Sequence, residues 1–117
     1  MAYVFYNGSK RTYEIRRWNG TVYEYLPVFD DFDEAVKYCN DAGIKFPVRL
    51  VNDGCSIDVI NTDEEINHPT YGNVVESFFF HDYDSESALW NRVKEYFSEM
   101  NFKEENITID CDAPSLF

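Results

Sequence analysis

Pro47-Val48-Arg49-Leu50-Val51-Asn52-Asp53-Gly54-Cys55-Ser56-Ile57-Asp58-Val59-Ile60 is the stretch that decides the fold class. On both sides of Asp53-Gly54 apolar and polar residues alternate with the period-2 rhythm of a half-buried strand. Asp-Gly between two such runs is a type I′ hairpin signal. A two-residue loop pairs Leu50 with Ile57 and Val48 with Val59 on one face. On the other face it pairs Arg49 with Asp58, an opposite-charge cross-strand pair.

Working back toward the N-terminus, Asp31-x-x-Glu34 resembles a capping box with Asp in the Ser/Thr position. Phe32, Ala35, Val36 and Cys39 follow at i, i+3, i+4 and i+7, which makes one apolar helical stripe. Gly43 is placed to end that helix in the left-handed conformation. Before it, Asn7-Gly8 and Asn19-Gly20 are type I′ signals joining three strands. A two-residue loop at Asn19-Gly20 pairs Trp18 with Thr21, Arg16 with Tyr23 and Tyr13 with Leu26. Tyr13, Ile15, Val22 and Leu26 then face the core, and Glu14, Arg16, Trp18, Tyr23 and Tyr25 lie on the other face.

Working forward, Asn61–Asn73 is polar and reads as a loop with one helical turn at Thr62–Ile66. A loop of that length is often functional. Val74–Phe80 is apolar almost throughout and predicts an interior strand covered on both faces. A helix from about Ser85 to Met100 follows, capped by Asp84 or Ser85, with Leu89, Val93, Tyr96, Phe97 and Met100 buried. Ile107, Ile109 and Cys111 alternate in a last short strand, with Cys111 in the core. The predicted order is βββ-α-βββ-α-β: an α+β fold, a mainly antiparallel sheet of about six or seven strands packed by two helices.

A length of 117 residues predicts a single domain, residues 1–117, and 18% aromatic residues supply its core. The two halves echo one another as a weak βββα duplication, 1–43 and 46–101. Phe29-Asp30-Asp31-Phe32-Asp33 stands against Phe80-His81-Asp82-Tyr83-Asp84. Acids at helix starts are favoured by the macrodipole in any case. Met1-Ala2-Tyr3-Val4-Phe5 lacks a basic n-region and does not read as a secretory signal. No run reaches the roughly 20 apolar residues of a membrane span. Cys39, Cys55 and Cys111 form no CxxC pair and read as reduced thiols, which points to a cytoplasmic protein.

The charge is unevenly distributed. Residues 1–50 carry seven basic and seven acidic side chains, whereas residues 51–117 carry three basic and fifteen acidic ones. The whole net charge of −12 therefore belongs to the second half. Between Arg49 and Arg92 there is no Lys or Arg. Such a surface repels nucleic acid and anionic membrane and attracts a basic protein. Lys10, Arg11, Arg16 and Arg17 near Trp18, Tyr23 and Tyr25 resemble a base-stacking surface, but cross-strand cation–π packing accounts for them in so acidic a chain.

Motifs that specify a reaction are absent. There is no phosphate loop, no dinucleotide fingerprint and no nucleophile–base pattern. Asp82-x-Asp84-x-Glu86 begins like a calcium loop, but Ser87 stands where Gly is needed and Val93 where Glu is needed. With His81 it is the densest potential metal cluster. The alternative for those acids is the first turn of a helix. His68 precedes a proline in the polar loop, and His81 at the end of an apolar strand reads as a half-buried packing residue. No cofactor is called for.

The expectation is a non-enzymatic inhibitor that occupies the basic, nucleic-acid-handling surface of a nuclease or toxin, comparable in size and charge to immunity proteins or phage anti-defence proteins. The partner-binding candidates are Asp63, Glu64, Glu65, Tyr71, Glu76, Asp82, Tyr83, Asp84 and Glu86. Carboxylates there pair with Lys and Arg, and Tyr71, Tyr83 and Trp90 serve as aromatic anchors. An alternative is a structural self-association module using the aromatic hairpin face and the apolar end Leu116-Phe117. A third is a metal-dependent enzyme at His81, Asp82 and Asp84.

Overall fold

The structure is a computed structural model that describes residues 2–18, 20–21, 23–62 and 74–117. The order of elements is the one the sequence predicts: β1 (Ala2–Asn7), β2 (Thr12–Trp18), β3 (Tyr23–Phe29), α1 (Phe32–Asp41), β4 (Val48–Asn52), β5 (Ser56–Asn61), β6 (Val74–Phe79), α2 (Glu86–Glu99) and β7 (Ile107–Asp110). The strands form two sheets. One is the antiparallel meander β1-β2-β3; the other has the order β6-β5-β4-β7, with β7 parallel to β4. The helical turn expected at Thr62–Ile66 lies outside the described residues, as do the side chains of Arg16, Trp18, Val22, Tyr23, Tyr25 and Leu26.

The β4–β5 hairpin forms, but two residues out from the expected register. Leu50 faces Val59, Val48 faces Asn61, and Arg49 faces Ile60. The cause is the Asp53 carboxylate. Its Oδ1 accepts from the Cys55 and Ser56 N–H groups at 2.9 and 2.8 Å, and its Oδ2 accepts from Ser56 Oγ at 3.0 Å. These bonds hold the Asp53 carboxyl below its ordinary value. They also move the two central turn positions to Gly54-Cys55, closed by Asp53 N–H to the Ser56 carbonyl at 3.1 Å. Gly54 takes φ +98° and Cys55 does not take a positive φ, the signature of a type II′ turn. A shift of two keeps every side chain on its face, so Val48, Leu50, Ile57 and Val59 are buried as expected. The Arg49–Asp58 pair is lost; Asp58 accepts from Ser56 Oγ at 2.7 Å instead. A Cβ at Gly54 meets no atom within 4 Å, so Gly54→Ala costs backbone strain alone. We expect a loss of about 1–2 kcal/mol, read as a lower urea midpoint with unchanged slope.

The first meander departs from its predicted register for similar reasons. Asn7 pairs with Thr12 across a four-residue loop in which Asn7 Oδ1 accepts the Lys10 N–H and Arg11 takes φ 55°, so Asn7-Gly8 is not a two-residue turn. Trp18 pairs with Tyr23 rather than Thr21, and Arg16 with Tyr25. A bulge between Glu14 and Arg16 then brings Tyr13 opposite Phe29 rather than Leu26. Tyr13 and Ile15 nevertheless face the core.

Both helices bury the predicted stripes, Phe32, Ala35, Val36 and Cys39 in α1 and Leu89, Val93, Tyr96 and Phe97 in α2, with Met100 just beyond. Asp31 caps α1 by accepting the Asp33 N–H, and Ser85 caps α2 by accepting the Ala88 N–H. They end alike. Gly43 (φ 72°) and Asn101 (φ 55°) are left-handed, and the next N–H, of Ile44 and of Phe102, returns to Cys39 and Phe97. The two ends are tied together: Asn40 Nδ2 donates to the Met100 carbonyl at 2.8 Å, and Asn101 Nδ2 donates to Asp41 Oδ1 at 2.9 Å. α1 reaches the first sheet through Phe32 on Tyr13, and α2 reaches the second through Tyr96 on Phe78. One hydrophobic cluster thus includes residues of both sheets and both helices.

Three local expectations fail. β6 is an edge strand rather than an interior one. Its three phenylalanines divide: Phe78 points inward, Phe79 is exposed, and Phe80 is half-buried as the chain enters a 3₁₀ turn (Phe80–Asp82). His81 is exposed beside Phe79 and Asp82, because that turn carries it off the strand. Cys111 is only half-buried and Ile109 is 45% exposed. β7 is the edge strand farthest from β6, against which α2 packs. Among the described residues no helix is long and apolar enough to cross a membrane.

Candidate partner-binding site

The acids of the two halves meet where the start of α1 faces the edge strand β6. Asp30, Asp31 and Asp33 come from the first half of the chain and Glu76 from the second, and all line one cavity of about 440 Å³. Each is there for a local reason. Asp31 is the N-cap, and Asp33 lies in the first turn, where the helix dipole favours negative charge. Glu76 stands opposite Val59, a core residue, so it projects from the covered face of the sheet. Its Oε1 accepts the Ser77 N–H at 2.9 Å. Tyr13, Phe32, Val75 and Phe79 supply the apolar part of the wall.

Among the described residues no Lys or Arg forms an ion pair with these groups. The Lys and Arg ion pairs of the described residues join Lys37 to Asp41 and Arg92 to Glu95 and Glu99. Burial, then the charges of Asp31 and Glu76, push the Asp33 carboxyl up to about 6. Tyr96, in the core outside the cavity lining, has its phenol held well above its ordinary value by burial, reinforced by Asp33 and Glu76 and opposed by Arg92. Its hydroxyl is buried without a hydrogen-bond partner among the described residues.

A second acidic group lies at the turn into α2, where Asp82, Asp84 and Glu86 are exposed. Half-buried Tyr83 and Glu86 line a separate open notch there, with Asn52, Gly54, Phe80 and Ser85. The notch and the acidic cavity share no residue. Trp90 is half-buried against the core. Asp63, Glu64, Glu65, Tyr71 and His68 lie outside the described residues. The predicted candidates therefore separate: Glu76 belongs to the cavity, and Asp82, Tyr83, Asp84 and Glu86 belong to the turn. Sequence reasoning missed Asp30, Asp31 and Asp33, because the arginines and lysines of their half cancel them in a charge sum. The run Asp30-Asp31-Phe32-Asp33-Glu34 was the available signal.

Among the described residues no three His, Cys, Asp or Glu side chains are arranged to hold a metal ion, His81, Asp82, Asp84 and Glu86 included. Two of the thiols, Cys39 and Cys111, are held in the protonated form. Burial pushes Cys39 up to about 12, and burial with the charges of Asp112 and Asp110 raises Cys111. Carboxylates grouped on an apolar wall can attract and desolvate a cationic group. Comparison with protein-family models, curated proteins and solved structures finds no match for this chain.

Proposed function

We propose that this protein is a non-enzymatic binder of a basic protein, acting in the cytoplasm on the nucleic-acid-handling surface of a nuclease or toxin, as an immunity-type or anti-defence inhibitor does. The observation that carries the reading is the cavity whose four carboxylates form no ion pair with a Lys or Arg among the described residues. A surface that handles nucleic acid presents the Lys and Arg those carboxylates lack. The exposed acids Asp82, Asp84 and Glu86 add to the same field, which raises association rates more than final affinity. Three unpaired thiols agree with a reducing compartment.

The test measures association of the full chain with a panel of basic ribonucleases and deoxyribonucleases at low and high salt, with neutral proteins as controls. Expected are selective binding to at least one basic enzyme, blocked cleavage, and association at least tenfold slower in 0.3 M than in 0.05 M salt. Combined Asp33→Asn, Glu76→Gln, Asp82→Asn and Asp84→Asn substitutions should slow association at low salt by a similar factor. Equal binding to neutral and basic proteins, or rates indifferent to salt, would remove the proposal.

A further inference from the structure

We propose that β7 is a strand-addition site for the basic partner: an extended segment that alternates apolar residues with Lys or Arg pairs with its open edge. The inference rests on the function proposed above and specifies how the partner docks. Among the described residues β7 is paired with β4 alone and ends the order β6-β5-β4-β7. An unpaired strand edge presents a row of N–H and C=O groups that can template a further strand.

The side chains of β7 leave its inner face only partly covered. Ile107 stands beside Val48 and Ile109 beside Leu50 in parallel register. Val48 and Leu50 are buried in the core, so both isoleucines project from the same covered face of the sheet. Ile109 is nevertheless exposed, because α2 packs on β6 at the far edge and its cover stops short of β7. The segment Pro114–Phe117 supplies part of the missing layer. Its Leu116 is buried and its Phe117 exposed, and a groove of about 330 Å³ runs between it and the two isoleucines. That is within the range of ligand pockets and receives apolar side chains. Two of the exposed large apolar residues, Ile109 and Phe117, thus share one groove, the mark of an interaction surface.

Charge selects the occupant. Glu104 lines the groove, and Glu105, Asp110 and Asp112 are exposed on and beside β7. Among the described residues none of the four forms an ion pair with Lys or Arg. The cations adjoining in sequence and register are Lys103, which donates to Asn101 Oδ1, and Arg49, beside Thr108. A second copy of the chain would bring the same acids to this edge and a net charge of −12, and is repelled. A segment carrying Lys or Arg is attracted. Strand alternation sets its pattern. Apolar side chains lie in the groove, and cations fall on the opposite face, where Thr108 and Asp110 are exposed.

The probe is an acetylated, amidated heptapeptide in which lysine alternates with valine. Its comparisons are the same peptide with glutamate for lysine, one with lysines and valines grouped, and two N-methylated at alternate residues in opposite phase. Binding to the full chain is followed by amide chemical shifts. Expected are saturable shifts centred on Ile107, Thr108, Ile109, Asp110 and Phe117, with affinity at least tenfold above the glutamate and grouped peptides. The two N-methylated peptides should differ at least tenfold, because only one phase blocks the N–H groups that face β7. Ile109→Lys should weaken binding at least tenfold and Phe117→Ala about threefold; both side chains are exposed, so both variants fold. Asp82→Asn with Asp84→Asn should leave it within twofold, and the free chain should sediment as a monomer. Equal binding of the grouped peptide, equal losses for the two N-methylated phases, shifts centred away from β7, or a stable dimer of the chain that covers β7 would overturn the strand-addition site. Should a basic nuclease bind Ile109→Lys and Phe117→Ala as it binds the parent, with salt-dependent kinetics, the site falls and the proposed function stands. If the alternating peptide binds as expected and no basic protein does, the function falls and the site stands.

Discussion

Replacing Phe97 with alanine lowers the unfolding free energy by about 3–5 kcal/mol, the cost of deleting a fully buried aromatic ring. Phe97 is completely excluded from solvent. Its ring lies edge-on to Phe102 at 5.4 Å and near Tyr96 at 5.7 Å. Phe102 in turn touches Phe46, on the segment leading into β4. The deletion therefore opens a hole where α2, its own C-terminal turn and the second sheet converge. The polar links Asn40–Met100 and Asn101–Asp41 remain and cannot close it, since each depends on the helix end that Phe102 anchors. A small domain is stable by about 5–15 kcal/mol, so the variant keeps only part of its margin. Urea unfolding followed by near-ultraviolet circular dichroism reads the loss. Phe117 is the internal control. It stacks on Phe97 at 6.3 Å but is 52% exposed, and Phe117→Ala should cost about 1 kcal/mol or less. Equal losses for the two variants would mean that the aromatic cluster is centred elsewhere.

That cluster was legible in the sequence because α2 keeps a helical period through Leu89, Val93, Tyr96 and Phe97, and one local rule places all four. The same holds for α1 and for the alternation of β4 and β5. Register was less legible. Turn dipeptides mark where a hairpin reverses, but side-chain acceptors decide which two residues are central. Asp53 acts as an acceptor for its own turn and moves the centre to Gly54-Cys55. Sheet order was not legible at all: period-2 patterns are identical for one sheet of seven strands and for two smaller sheets. The apolar run Val74–Phe80 misled for a related reason, since strand alternation and a 3₁₀ turn send neighbouring phenylalanines to different environments. The cavity joins Asp33 to Glu76, 43 residues apart, across a contact that neither helix nor strand periodicity encodes. Glu76 was a candidate because it lies in the stretch without basic residues. Asp33 was not, because its half of the chain is neutral in sum although its neighbourhood in the fold is acidic.

Asp33→Asn should stabilise the free protein at neutral pH. The native carboxyl titrates near 6 instead of 3.8, raised first by burial and then by Asp31 and Glu76. Between those values the unfolded chain has released the proton and the native state still holds it. The native state thus binds more protons, and stability falls as pH rises through this window. Above about pH 6 both states are ionised and the penalty is complete; below about pH 4 both are protonated and it vanishes. Taken at face value the interval corresponds to roughly 3 kcal/mol. Asp33 is only about half-buried, and screening by solvent reduces this to about 1 kcal/mol. The amide keeps the shape and removes the charge. It should therefore gain about 1 kcal/mol at pH 7, a melting-temperature rise of about 3–5 °C, and the two melting curves should converge near pH 4. A variant less stable than the parent at pH 7 would mean that the carboxylate contributes more to the first turn of α1 than its burial costs. Stabilising substitutions that cost function are expected where a site is strained for binding. If Asp33→Asn melts higher yet binds the basic partner more slowly, the charge at Asp33 opposes the fold and serves the partner. If it melts higher and binds as before, the charge opposes the fold and contributes nothing to recognition.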